Sequence, residues 1–376
     1  MLIRLLRGGR LAQQQIKRLY LIPILSKALD ILELLESENK PLTLEVIYQR
    51  SRISKTSIYR ILKTFVHRGY VAQTSDGAYR LVARPKKIRF GFAAQSAEMP
   101  FSEAVTNSLM DAAAASGVEL MIRDNRYDAE TAIQNAKDFV AERVDLVVEF
   151  QIEENIAPVI AHTISKAGIP LIAVDIPHPS AVYFGVDNFE VGYEAGKLLA
   201  QHAIRQWKSK VDWVLGLDVA EAGTFVQSRV TGAFEGVRSL LPDLDPNCFM
   251  RLEGRGLRQT SAQVLSDFFK RHGRKERILI AAATDTSALG AMQSARSAGR
   301  EKTVAIVGQD CIPEVVEELR KGAGPIIGSI SHEAETYGPR LIQLGVTLLR
   351  GQTVPPYNYV QHKVVTTKNV HEMVMS

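Results

Sequence analysis

The sequence predicts an α/β chain in two parts: a small helical unit closed by a hairpin, then a larger body of two lobes, each a parallel sheet covered by helices. Three observations carry this. Apolar residues recur at helical spacing over residues 54–66. Short apolar runs between residues 88 and 330 alternate with amphipathic stretches. Charge divides sharply between the parts: residues 1–90 hold 18 Lys/Arg against 6 Asp/Glu, a net of +12, and the rest hold 28 against 35, a net of −7. With 376 residues and 46% apolar content, one small and one large domain is the natural expectation.

A helix over about residues 26–37 presents Leu29, Ile31, Leu32, Leu34 and Leu35 on one broad apolar face, wide enough to pack within its own unit and against a second subunit. Leu44, Ile47 and Ile53 form a small apolar set on a short second helix. Ile58, Ile61, Leu62, Phe65 and Val66 then fall at i, i+3, i+4, i+7 and i+8, a buried stripe of period 3.6. Ser54 can cap that third helix, because its hydroxyl accepts from the free N–H groups of the first turn. Gly69 ends it where a left-handed residue is needed. Residues 70–73 and 78–81 alternate as strands around Ser75-Asp76-Gly77, and Asp-Gly is a strong hairpin signal. A helix pair followed by such a wing is a winged helix-turn-helix.

The outer face of the third helix carries Lys55, Thr56, Ser57, Tyr59, Arg60, Lys63 and Thr64, donors and cations with no carboxylate among them. Together with Arg80 on the wing and the net of +12, this face suits double-stranded DNA, whose phosphates bind such cations. The acidic remainder would be repelled by DNA and points to a separate task.

In the larger part, residues 88–94, 118–123, 145–150, 170–175, 211–217, 277–283, 303–308 and 325–330 read as buried strands, most followed by an amphipathic helix. That alternation means parallel sheet with helices on both faces. The strands are too many for one ordinary sheet, so two lobes are expected. The boundaries are residues 1–22 for a basic N-terminal arm, 23–81 for the winged unit, 82–87 for a linker stopped by Pro85, and 88–376 for the body. The arm holds Arg4, Arg7, Arg10, Lys17 and Arg18 and lacks a signal peptide's apolar core, so it is either a frayed arm or an over-long start.

Two widely separated cysteines, Cys248 and Cys311, and the lack of any apolar stretch near the roughly 20 residues of a membrane helix, point to a reducing cytoplasm and no membrane. Scattered histidines and the lack of a nucleophile elbow, metal-spaced cluster or Walker loop argue against catalysis, a metal or a cofactor.

Residues 24–81 resemble the winged helix-turn-helix of IclR-type transcriptional regulators. The resemblance rests on Ala28-x-x-Ile31-Leu32, Pro41-Leu42-Thr43-Leu44, Ser57-x-Tyr59-Arg60-x-Leu62, Gly69-Tyr70-Val71 and Tyr79-Arg80-Leu81. Residues 88 to about 368 resemble the type I periplasmic sugar-binding fold shared by ribose-binding proteins and lactose-repressor-like regulators. Here the motifs are Pro100-Phe101, Gly185-Val186-Asp187-Asn188 with Gly192 and Gly196, Arg229-x-x-Gly232, Thr284-Asp285-x-x-Ala288-Leu289-Gly290-Ala291 and Gly308-Gln309-Asp310. The implied body is a two-lobed Rossmann-like domain. No hinge helix follows the winged unit, so the signalling geometry of neither family carries over.

The second resemblance also implies an effector site. Sugars offer vicinal hydroxyls and apolar ring faces, which carboxylates, an Arg fork and an aromatic plate recognise. Arg229, Asp310 and Asp175 match the family's ligand residues, each carboxylate following a strand. Ile176 stands where the family often has Arg, and Thr284 where Asn or Asp is common, so two contacts are lost or shortened. Asp285 either contacts ligand or caps the next helix. His332 stands where Gln is frequent, Phe101 is a stacking plate or a core residue, and Glu149 and Gln151 close the third strand within reach. Asp187 and Asn188 are expected to cap a helix.

The expected function is a ligand-responsive transcriptional regulator, binding operator DNA as a homodimer and sensing a sugar or sugar acid. The alternatives are a solute receptor with no DNA role and a regulator of another polar metabolite.

Overall fold

The computed structural model describes residues 22–38, 40–82 and 87–372. The basic arm therefore lies outside the described residues except Ile22, and the linker contributes only Val82 and Lys87. The chain divides at Lys87 into two compact units. Among the described residues no helix is long and apolar enough to cross a membrane.

In the first unit, α1 spans Pro23–Glu38, α2 Leu44–Ser51 and α3 Lys55–His67, and strands β1 (Val71–Gln73) and β2 (Tyr79–Leu81) pair antiparallel. Of the expected stripe, Ile58, Ile61 and Leu62 are buried against Ile31, Leu35, Leu42, Ile47, Ile53, Val71 and Tyr79, and Phe65 and Val66 pack half-buried on the same core. Thr43 caps α2, accepting from Val46 N, and Ser54 caps α3, accepting from Ser57 N. Each satisfies an N–H that a helix start leaves free. Gly69 (φ 72°) and Gly77 (φ 83°) take the left-handed conformations that the helix stop and the hairpin require. Leu42 adds a third rung to the hairpin, exchanging both backbone hydrogen bonds with Tyr79 at 2.8 Å. On α1, Ile31 and Leu35 turn fully toward α2, α3 and the wing, Leu32 and Leu34 pack in part on the same core, and Leu29 is exposed.

The second unit holds two six-stranded sheets. Its elements are β3 (Arg89–Ala94), α4 (Pro100–Ser116), β4 (Glu119–Asp124), α5 (Ala129–Ala141), β5 (Leu146–Glu149), α6 (Ala157–Lys166), β6 (Leu171–Val174) and β7 (Val182–Gly185), followed by α7 (Asn188–Trp207), β8 (Trp213–Asp218), α8 (Gly223–Leu240), β9 (Phe249–Glu253), α9 (Arg258–Arg271) and β10 (Ile278–Ala282). The chain ends with α10 (Asp285–Ser297), β11 (Val304–Gln309), α11 (Pro313–Lys321), β12 (Ile326–Ser331), α12 (Tyr337–Leu349), β13 (Tyr357–Tyr359) and β14 (Lys363–Thr366). The first sheet has the order β13-β7-β6-β5-β3-β4 and is wholly parallel; the second runs β14-β12-β11-β10-β8-β9, with β14 antiparallel to β12. The chain thus crosses between lobes three times, after β7, after β12 and after β13.

The eight strands read from the sequence are present. Strands β9, β13 and β14 lie outside that reading because they are half-exposed edge pieces without a continuous apolar run, and so does β7, a buried interior strand of only 4 residues. The core strands are buried on both faces, as a sheet covered by helices demands.

Candidate functional site

In the first unit the DNA-facing candidates Lys55, Thr56, Tyr59, Arg60 and Lys63 on α3 and Arg80 on β2 are all exposed, and Ser57 is half-buried. Two of them are engaged within the unit. Lys55 Nζ lies 2.5 Å from Glu45 of α2 and 4.9 Å from the Tyr48 ring centre, so the charge of this face is partly neutralised by a neighbouring helix. Ser57 Oγ accepts from Ser54 Oγ at 2.9 Å, which ties it to the helix cap. Arg60 and Lys63 remain outward, with the Lys63 ammonium 5.6 Å from the Tyr59 ring centre.

In the second unit the strand ends of both sheets meet at a cleft, the usual place for ligands in open α/β sheets. Asp175 follows β6 of the first lobe, Asp310 follows β11 and His332 follows β12 of the second, and Arg229 reaches in from α8. The position of Arg229 depends on how α7 and α8 pack. A Cβ on Gly192 would lie 1.9 Å from Arg229 O, on Gly196 2.0 Å from Ala233 O, on Gly232 2.1 Å from Phe189 O and on Gly236 2.1 Å from Tyr193 O. No side chain fits there, so the two backbones touch between Phe189–Lys197 of α7 and Arg229–Gly236 of α8. This contact sets Arg229 beside the start of α7, where its Nε donates to Asn188 Oδ1 at 2.6 Å and its Nη1 to Ala283 O at 3.0 Å.

Around this guanidinium the groups are buried and few are satisfied. His332 is fully buried, with Nε2 3.0 Å from Gln309 Oε1 and Nδ1 3.4 Å from Asp310 Oδ1. Burial, followed by the charge of Arg229, holds its imidazole well below the ordinary value, so it is neutral. Burial raises the Asp175 carboxyl to about 6, opposed by Arg229. Burial likewise raises Asp310 to about 7, with Arg229 lowering it and Asp175 raising it. Asp175 Oδ1, His332 Nδ1 and Asn188 Nδ2 are each buried without a hydrogen-bond partner, and the Tyr337 hydroxyl bears on the Asp175 carboxyl and lowers it. Buried polar atoms in native proteins are seldom left unpaired, so several at one place mark a site built to meet outside polar groups. Two carboxyls, one guanidinium, an imidazole and a phenol can accept from and donate to a ligand's hydroxyls.

Not every residue expected at the site faces this cluster. Asp285 is committed to the fold: its Oδ1 accepts from Ser329 Oγ at 2.8 Å and its Oδ2 from Ile312 N at 3.0 Å, which shapes the turn carrying Asp310. Thr284 caps α10, accepting from Ser287 N at 3.1 Å. Glu149 is fully buried on the far side of the first sheet, accepting from Asn125 Nδ2 at 2.9 Å, and burial lifts its carboxyl to about 8. Gln151 bonds the backbone of Glu153 and lines a separate hollow with Gln95, Asn125 and Tyr127. Phe101 stands edge-on to His332 at 5.7 Å and to Tyr337 at 5.6 Å, so it packs the wall behind the cluster. Asp187 caps α7 as expected, accepting from Phe189 N and Glu190 N.

Sequence reasoning missed Tyr337 and Gln309, and gave Asn188 only a capping role. Gln309 adjoins Asp310 at the same strand end and Tyr337 opens the helix after a lobe crossing; both positions are readable only once the crossings are known. Among the described residues no group of three or more His, Cys, Asp or Glu is placed to hold a metal ion.

The sequence model of the periplasmic binding protein domain family matches residues 90–353. The chain belongs to that family. Residues 24–75 match the IclR helix-turn-helix domain. Several solved structures share the fold of the body. A periplasmic solute-binding protein from Actinobacillus succinogenes, bound to D-allose, is 19% identical with a TM-score of 0.66, covering 76% of this chain and 100% of that one. A Mycobacterium smegmatis protein in complex with β-D-fucofuranose is 22% identical, TM-score 0.66, covering 76% and 93%. A Bacillus halodurans solute-binding protein bound to myo-inositol is 16% identical, TM-score 0.65, covering 77% and 98%. A comparison with curated proteins finds no match.

Proposed function

We propose that this chain is a ligand-responsive transcriptional regulator: the first unit binds operator DNA, and the cleft of the second takes a small polyhydroxylated effector. One observation carries the reading. An IclR helix-turn-helix and a periplasmic-binding domain occupy one polypeptide, so a DNA reader and a ligand receptor are covalently coupled. The unpaired polar atoms around Arg229 support a ligand rich in hydroxyls, as do the sugars and the cyclitol bound by the proteins of like fold.

In this reading Arg229, Asp175, Asp310 and His332 contact the effector, and Arg60, Lys63, Tyr59, Thr56 and Arg80 contact DNA. The protein acts in the cytoplasm as a homodimer without catalysing a reaction. The effector alters DNA affinity only to the extent that it prefers one of two states. A thermal-shift screen of sugars, polyols and sugar acids tests the receptor half, because a ligand of the folded state raises the melting temperature. A gel shift on DNA flanking the gene, with and without the best hit, tests the coupling. No stabilising compound, or DNA binding indifferent to a compound that does bind, overturns the proposal.

A further inference from the structure

A set of contacts crosses the cleft that no ligand-binding role uses. Ile176, which follows β6 in the first lobe, is 2% exposed and packs in one apolar cluster with Val219, Ala222, Val226 and Ala283 of the second lobe. Beside it, Phe225 of α8 meets the ring of Tyr183 from β7 at 5.0 Å, nearly perpendicular, and that of Tyr357 from β13 at 6.2 Å. Farther along the rim, Tyr127 Oη donates to Arg255 O at 3.1 Å. The Glu154 carboxylate sits against the first turn of α8, so close that a Cβ on Gly223 would lie 2.0 Å from its Oε2. That turn has no side-chain cap of its own, and an acid at a helix start is favoured there. Residues 219–226 take part in the first, second and fourth of these contacts, so one short segment forms the jaw of the second lobe.

We infer that the lobes of this protein close on an intramolecular clasp, with Ile176 as its plug and Phe225 as its aromatic catch, so that the chain without effector rests closed. The physical basis is where the closing free energy arises. If the cleft met only through polar groups such as Asp175 and Asp310, opening would hydrate them and closure would wait for a ligand to pair with them. Here opening instead exposes a buried Ile, a Phe and the small apolar wall they cover. Withdrawing one Ile side chain from water favours the closed state by roughly ten- to hundredfold. The effector then enters a cleft that is already predominantly shut, and it acts on a population set by the clasp.

The inference goes beyond the regulatory reading and is tested without DNA or effector. Spin labels are placed at Val159→Cys and Met250→Cys, exposed positions on the first and second lobe, in the full-length chain carrying Cys248→Ala and Cys311→Ala. The protein is unfolded and refolded to strip any carried ligand, diluted with unlabelled chain, and its interlobe distance is measured by pulsed dipolar spectroscopy. A single short distance is expected for the parent, and transfer of most of the population to a longer one in Ile176→Glu. Phe225→Ser provides the same readout should Ile176→Glu not fold. A parent that is mainly in the long-distance state, or variants that keep the parent's distribution, overturns the clasp.

Discussion

Substituting Glu149→Gln separates a buried structural acid from a ligand residue and has a magnitude that follows from the geometry. Glu149 ends β5, is fully buried, and has one carboxylate oxygen bonded to Asn125 while the other has no partner. Burial lifts its carboxyl from 4.5 to about 8. The sign is that of an acid whose folded value is raised. The folded chain holds a proton that the unfolded chain releases, so this residue's favourable contribution is complete below about 4.5 and is lost as pH rises toward about 8. Glutamine keeps the shape and the acceptor for Asn125 but does not titrate.

The stability of the variant relative to the parent should therefore climb by about 1.4 kcal/mol per pH unit across that interval. The accumulated gain is about 4 to 5 kcal/mol at most, because relaxation and water entry reduce the cost of a buried charge. Urea unfolding at several pH values between about 5 and 8 measures it, followed by tryptophan fluorescence. Both tryptophans, Trp207 and Trp213, lie in the larger unit, so the signal reports the domain that holds Glu149. A difference between the two proteins that stays flat with pH refutes the assignment of Glu149 as a buried neutral acid.

Three further outcomes are expected. Arg60→Ala should weaken operator binding by about 1–3 kcal/mol if the guanidinium reads a guanine, and an unchanged affinity in a salt-matched gel shift removes it from the interface. Asp310→Ala and Arg229→Ala should abolish the effector response while DNA binding persists; normal calorimetric titrations of both variants place the effector elsewhere. Arg229→Ala should in addition lower stability, since Asn188 Oδ1 and Ala283 O lose their buried donors, at about 1–3 kcal/mol for each acceptor left unpaired. Gly232→Ala should cost about 1–3 kcal/mol or more in chemical denaturation, because its methyl carbon would stand 2.1 Å from Phe189 O and force α7 from α8. Unaltered stability there means that the two helices do not touch.

The architecture was largely legible in the sequence because its signals are local. The stripe from Ile58 to Val66, the Asp76-Gly77 turn and the eight apolar strand runs each depend on a few neighbouring residues. Their periodicity reflects which face of an element meets water. The charge division between the parts is equally a property of composition. Edge strands such as β9 were not legible, since a half-exposed strand has neither a continuous apolar run nor clean alternation.

The cleft was legible only as a set of candidates. Arg229, Asp175, Asp310 and His332 could be named from motif positions, yet nothing local distinguishes Asp310, which faces Arg229, from Asp285, which holds the turn behind it. Glu149 and Gln151 follow the same rule of strand ends and nonetheless lie away from the cluster. Ile176 read as the loss of a polar contact; in three dimensions it is the centre of an apolar cluster joining the lobes.

The sequence by itself determined the two units, the type of each and the chemical inventory of the cleft. Only the tertiary structure decided which polar groups share one desolvated space and which apolar residues shut it. The physical reason is that hydrophobic periodicity and turn chemistry act between residues close along the chain. Burial, pairing and lobe closure depend instead on contacts between residues far apart along the chain, such as Arg229 with Asn188 within the second lobe and Ile176 with Val226 between the lobes.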